Sequence, residues 1–280
     1  MAGVRVVTDS SCDLPPEVCA EHGIRVVPLT IRFGSEEFVD RRDLSTDQFW
    51  QRCAVSPVLP ETAAPAPGAF EAAFREAAAE GADGVLCLCL SSKLSATMQA
   101  AQVAAQAVDV PVRVVDSLGV SMSLGVQVVA ACELAEAGKG LDDIVGAAEE
   151  MATRVHLVAM LDTLENLRKG GRIGGAQAFI GSMLSLKPIV SVVDGEVVAE
   201  SKQRTRSRAM RYLVDYVGRT TPDIERLYVM HAAAPDVDLF VEQVREIYPR
   251  DDIVVGDIGA VIGTHSGVGA LGVGWVAART

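Results

Sequence analysis

Six consecutive apolar residues, Val85-Leu86-Cys87-Leu88-Cys89-Leu90, leave no side chain of a strand free to face water. A strand alternates its side chains between two faces, so a run of this kind needs cover on both, as in a parallel sheet sandwiched by helices. Leu94, Met98, Ala101, Ala105 and Val108 then recur at helical spacing. Between strand and helix lies Ser91-Ser92-Lys93-Leu94-Ser95-Ala96-Thr97, a hydroxyl-rich turn at the carboxyl end of a buried strand, where open α/β sheets bind ligands. Ser91 or Ser92 is expected to cap the helix, and free N–H groups of its first turn would suit a carboxylate or phosphate. The plainer reading is that the serines only cap.

Strand and helix signals alternate along the first half, which predicts βαβ units. Val4–Val7 reads as a strand followed by a turn with Asp9, Ser10 and Asp13 as turn and cap formers, then a helix begun by proline. Residues 25–33 read as one β segment, 46–53 as a short helix, 55–67 as a proline-rich loop, and Phe70, Phe74, Ala77 and Ala78 as an amphipathic helix. Strands are expected at 112–115 and 155–161, with helices at 122–137 and 141–152 between them. Beyond them, Asp194-Gly195 separates two β segments as a hairpin turn, and helices at 206–217 and 235–247 alternate with strands at 227–230, 253–255 and 272–277. A boundary near Met151 divides the chain into two α/β domains, 1–150 with a mainly parallel sheet and 151–280 without a Ser- or Pro-rich linker before it.

The net charge of −12 argues against nucleic acid as a partner, because phosphate neutralisation needs a basic face. No secretory apolar core precedes the first acidic residue, so a cytoplasmic location is expected, and Asp257, His265 and seven glycines interrupt the apolar tail 252–278, which is not read as an integral membrane segment. The six cysteines form no C-x-x-C pair and the four histidines no metal-ligand spacing, so neither a metal nor a cofactor is expected. Gly267-Val268-Gly269-Ala270-Leu271-Gly272 matches G-x-G-x-x-G, yet too few residues follow it for the helix and strand of a dinucleotide site. P-loop and G-x-S-x-G motifs are absent.

Charge is nonetheless uneven. Arg168, Lys169, Arg172, Lys187, Lys202, Arg204, Arg206, Arg208 and Arg211 stand against Asp194, Glu196 and Glu200 in one stretch, a basic island suited to phosphate or a docking partner, or simply a solvated helix face. His265 sits in Gly263-Thr264-His265-Ser266-Gly267, where glycines allow close approach of a ligand, although a lone histidine is often structural.

Taken together, Thr8-Asp9-Ser10 with Asp13-Leu14-Pro15, Thr62 with Pro65, Ser91 to Thr97, Asp116-Ser117, Asp162-Thr163-Leu164 through Gly170-Gly171-Arg172-Ile173, Lys187-Pro188, Arg204-Thr205 and His265-Ser266-Gly267 resemble the DegV family of bacterial fatty-acid-binding proteins. The resemblance implies a long-chain fatty acid in a tunnel between two α/β domains, with no catalysis by the chain itself. It implies that Thr62, Ser92, Ser95 and His265 hold the carboxyl group, that Thr97 and Met98 lie on or near the tunnel wall, and that Arg172 and Arg204 face a phosphate or a partner. That partner is implied to be an ATP-dependent fatty acid kinase, which makes an acyl phosphate for phospholipid metabolism. Ala63-Ala64, Ala96, Met98 and Val268 replace the commoner Ser-Gln, Gly, aromatic and Pro. Burial of about 14 methylenes at ~0.8 kcal/mol each gives a gross ~11 kcal/mol, before association costs. Two other classes stay open: an acyl hydrolase using Ser92 with His265 as base, and a sensor or scaffold whose lipid is structural and which has no kinase partner.

Overall fold

A computed structural model describes residues 3–179, 186–220, 223–250 and 252–279. In chain order its elements are β1 (Val4–Asp9), α1 (Pro16–Glu21), β2 (Arg25–Val27), β3 (Thr30–Phe33), β4 (Glu36–Val39), α2 (Thr46–Val55), β5 (Glu61–Ala63), α3 (Pro67–Ala79), β6 (Gly84–Cys89), α4 (Thr97–Ala105), β7 (Val112–Asp116), α5 (Met122–Glu136) and α6 (Leu141–Ala152). They continue with β8 (Val155–Met160), α7 (Glu165–Lys169), β9 (Lys187–Val193), β10 (Glu196–Gln203), α8 (Arg206–Thr220), β11 (Ile224–His231), α9 (Val237–Ile247), β12 (Val254–Asp257), α10 (Ala260–Ser266) and β13 (Leu271–Ala277).

The apolar run became the inner strand its composition requires. β6 is buried at every position and lies in a four-stranded sheet of order β2-β1-β6-β7, parallel throughout. Its side chains alternate between two cores: Val85, Cys87 and Cys89 pack with Phe70 and Phe74 of α3 and Ala101 of α4, whereas Leu86 and Leu88 pack with Leu124 and Val128 of α5.

Residues 155–277 supply a six-stranded mixed sheet of order β10-β9-β8-β13-β11-β12. On β8, Val158 and Met160 turn toward α8 and α9, while Leu157, and Leu161 just past the strand, turn the other way, into the core shared with the parallel sheet. α5 lies between the sheets and contacts β1 and β6 as well as β8 and β13. Its near-continuous burial from Met122 to Cys132 follows from that position, since a helix covered all round needs no polar face.

Two expectations are corrected. The single β segment at 25–33 is broken, because Pro28 offers no N–H to continue a ladder: β2 stays in the parallel sheet and β3 joins a three-stranded sheet of order β4-β3-β5. The loop at 55–67 contains β5, three residues paired with β3. The glycine-rich tail contains the seven-residue α10, whose inner Gly263 admits the Trp50 ring: a Cβ there would lie 2.7 Å from the ring. The Asp194-Gly195 turn holds, with positive φ at both residues joining β9 to β10.

Candidate functional site

An apolar slot lies between the end of the parallel sheet, the inner face of the six-stranded sheet, and α10. Counted with its open mouth, the space between its walls comes to about 840 Å³. Leu90, Leu157, Val190, Val192, Met230 and Ile258 are typical of its wall. Its polar lining is Thr62, Ser95, Ser121, Arg172, His265 and Ser266.

Thr62 reaches the slot from β5, and its Oγ1 lies 2.9 Å from Nε2 of His265, at the carboxyl end of α10. The other ring nitrogen, Nδ1, is buried with no hydrogen-bond partner and packs on Gly170, where an added Cβ would come within 2.5 Å of it. Burial, and to a lesser degree the Arg172 charge, push the His265 pKa down to about 4, so the imidazole is neutral near neutral pH. Arg172 is itself anchored, donating from Nε to the Leu94 carbonyl at 3.0 Å and from Nη1 to the Gly170 carbonyl at 2.6 Å.

Ser95 faces the slot from the turn after β6. Its Oγ accepts the Thr97 N–H at 3.3 Å and lies 2.8 Å from the Thr97 hydroxyl. Thr97 is fully buried and does not line the slot; it stands behind Ser95. Thr62 and Ser95 therefore share one design: a lining hydroxyl with a second group able to donate to its oxygen, which frees its own proton for an acceptor in the slot.

The turn departs from expectation in two ways. α4 starts at Thr97 with Ala96 as N-cap and no side-chain cap, so neither Ser91 nor Ser92 caps it. The backbone N–H groups before it are also engaged: Ser92 with the Asp116 carboxylate, Lys93 with the Ser91 hydroxyl, and Leu94 and Ser95 with the Ser91 carbonyl. The N–H groups from Ser92 to Ser95 are thus not offered to an anion, whereas the first turn of α4 carries no side-chain cap. Ser91 is buried and donates to the Gly195 carbonyl at 2.7 Å, which pins the β9–β10 hairpin over the turn.

Not every residue singled out from sequence gathers at the slot. Ser92 is exposed and absent from the lining. Met98 packs against the opposite face of the parallel sheet, among Val7, Cys87 and Phe74, because α4 covers that face. Arg204 is exposed between β10 and α8. Arg172, expected to face a phosphate or a partner, belongs to the polar lining of the slot.

Ser121 and Asp13 carry roles that sequence patterns did not reveal. Ser121 has a φ of 54° and donates from Oγ to Asp13 Oδ2 at 2.6 Å, while Asp13 Oδ1 accepts the N–H of Gly259, the N-cap of α10, at 3.0 Å. One buried carboxylate thus ties the slot wall to the helix that carries His265. Burial raises the Asp13 pKa to about 7, against the opposing effects of the Ser121 hydrogen bond and the Arg41 charge. Only the pairing across 108 residues could have exposed this link, and no local motif encodes it.

Among the described residues no cluster of three or more His, Cys, Asp or Glu could hold a metal ion, and no helix is long and apolar enough to cross a membrane.

Residues 3–278 match the family model for an uncharacterised protein of the DegV family. A DegV domain-containing protein of Streptomyces coelicolor is 41% identical over 277 residues, covering 96% of this chain and 97% of its own. A DegV family protein from Thermus thermophilus, described with its fatty acid binding, superposes with a TM-score of 0.91 at 33% identity, covering 98% of this chain and 99% of its own. DegV of Bacillus subtilis, described as a fatty acid binding protein, gives 0.90 at 32% identity over 99% and 100%. The sequence match along almost the whole length, on a backbone of the same fold, makes this chain a member of the DegV family.

Proposed function

We propose that the slot takes one long-chain fatty acid, its carboxylate held at the Thr62, Ser95, Arg172 and His265 end and its tail laid along β8 and β9. The observation that carries this reading is the Thr62–His265 pair, 2.9 Å apart at the edge of a largely apolar slot. An acyl tail gains by leaving water, and a carboxylate buried with it needs donors close by. Arg172 supplies a cation and Thr62 and Ser95 supply hydroxyl protons. Ser266 adds a further hydroxyl to the lining. Fatty acid binding by the T. thermophilus and B. subtilis relatives supports the assignment.

The chain does no chemistry of its own in this reading. It presents the carboxylate to a separate ATP-dependent fatty acid kinase in the cytosol, where a carboxylate oxygen attacks the γ-phosphorus, ADP leaves, and an acyl phosphate forms. Arg204, Arg208 and Arg211 are exposed at the start of α8 and suit an acidic partner surface. An acyl hydrolase fits less well: His265 meets Thr62 rather than Ser92, and its Nδ1 lacks the acid that orients a catalytic base.

Mass spectrometry of lipid extracted from the purified protein tests the first step. A stoichiometric long-chain fatty acid is expected, and delipidated protein that binds none would overturn the reading. Acyl phosphate formed on addition of a purified fatty acid kinase and ATP tests the second step, and its absence with several kinases would favour a sensor or scaffold.

A further inference from the structure

Along β8 and the residue after it, the alternate residues Leu161, Ala159 and Leu157 line the slot, so its floor advances about 6.7 Å with each. The neighbouring strand keeps pace, with Val190 opposite Ala159 and Val192 opposite Leu157. Past this last pair lies a second cavity of one-water size, lined by Ser117, Leu118, Gly119, Ser123 and Val155 as well as by the pair itself. Among the described residues, Leu157 and Val192 alone belong to the walls of both cavities.

On the acyl reading of the slot given above, we infer that Leu157 and Val192 are the stop that sets maximum chain length, and that the rear chamber is a polar reserve closed to the tail. The stop is steric first: the two side chains fill the section between slot and chamber. It is also chemical. Ser123 accepts from the Val120 N–H at 2.8 Å and donates to the Val120 carbonyl at 2.5 Å, and the Gln127 amide donates to the Ser117 and Ser123 carbonyls. Gln127 Oε1 is buried without a partner. A methyl end pushed past the pair would meet the Ser117 and Ser123 hydroxyls in a space of one-water size and gain little from the contact. The slot is therefore apolar up to Leu157 and unsuited to a tail beyond it.

The test is a competition among saturated fatty acids of increasing length for delipidated protein, read by mass spectrometry beside the lipid that copurifies. Leu157→Ala removes three carbons from the stop and joins the cavities, so the preferred length is expected to increase by about two to three carbons. Val192→Ala is expected to shift it in the same direction and serves if the first variant folds poorly. Val155→Ala, at a residue that lines the rear chamber and not the slot, is expected to leave the preference where it was. A wild-type length preference in both Leu157→Ala and Val192→Ala would overturn the assignment of the stop. Wild-type protein that binds no member of the series would overturn the acyl reading itself, which separates the two failures.

Discussion

Thr62 and His265 stand 203 residues apart in the chain, on an edge strand and at the end of a short helix, with their polar atoms 2.9 Å apart. A carboxylate only accepts hydrogen bonds, so Thr62 must donate to it, and His265 must then donate from Nε2 to the threonine oxygen. Thr62→Val keeps the shape and removes the relay. A hydrogen bond to a charged group contributes about 1.5–3 kcal/mol, so fatty acid affinity is expected to drop roughly 10- to 150-fold, with Thr62→Ser retaining most of it. Titration of delipidated protein measures this, and unchanged affinity in the valine variant would remove Thr62 from the head-group site.

Arg172 acts on His265 through charge as well as on a ligand. Burial is the main cause of the depressed His265 pKa and the guanidinium adds to it. In Arg172→Gln the histidine is expected to titrate above its present value of about 4 yet below its ordinary range, since burial persists. NMR of the ring carbons follows this directly. The same variant is expected to bind fatty acid more weakly, and an unmoved titration would show that the charge does not reach the ring.

How far the sequence foretold the molecule varied with the kind of signal. β6 and α5 were legible because burial on all sides leaves a continuous apolar record. β5 and α10 were not: three residues between prolines and seven residues rich in glycine carry no period to read, yet they bring Thr62 and His265 to the slot. Ser92 and Ser95 looked equivalent in a hydroxyl-rich turn. The fold distinguishes them, because the turn tightens onto the Ser91 carbonyl before α4 begins and leaves Ser92 outside. The Asp13–Ser121 bond is a long-range pairing, which single-sequence periodicity does not report.

Asp13 and His265 should pull the pH dependence of stability in opposite directions. The Asp13 pKa is raised from 3.8 to about 7, so between those values the folded chain holds a proton that the unfolded chain releases, and stability from this group declines as pH rises. The His265 pKa is lowered from 6.5 to about 4, so in that window the unfolded chain binds the extra proton, and stability rises with pH. Asp13→Asn removes the first effect and can keep a hydrogen bond to both Gly259 and Ser121. Relative to wild type, its stability is expected to climb more steeply from pH 4 to 7, by up to about 4 kcal/mol over the window. Denaturant midpoints measured across that range decide it, and parallel curves would show that Asp13 is ionised throughout.

Ser92 and Ser95 provide the sharpest contrast between sequence pattern and geometry. The Ser92 side chain is exposed, and its hold on Asp116 runs through the backbone N–H, so Ser92→Ala keeps every bond that orders the turn. Fatty acid affinity is expected to stay within about twofold of wild type, and stability within ~0.5 kcal/mol. Ser95→Ala removes a lining hydroxyl and leaves the buried Thr97 hydroxyl without its partner at 2.8 Å. Thr97 can turn its own proton toward the space vacated, but it stands behind the wall and cannot reach a carboxylate as Ser95 does. Affinity is expected to drop roughly tenfold or more, since one donor to a charged group is lost. The two variants, titrated side by side with one saturated fatty acid, separate a head-group site on the inner side of the turn from one on its outer side. A large loss in Ser92→Ala with none in Ser95→Ala would place the carboxylate outside the slot.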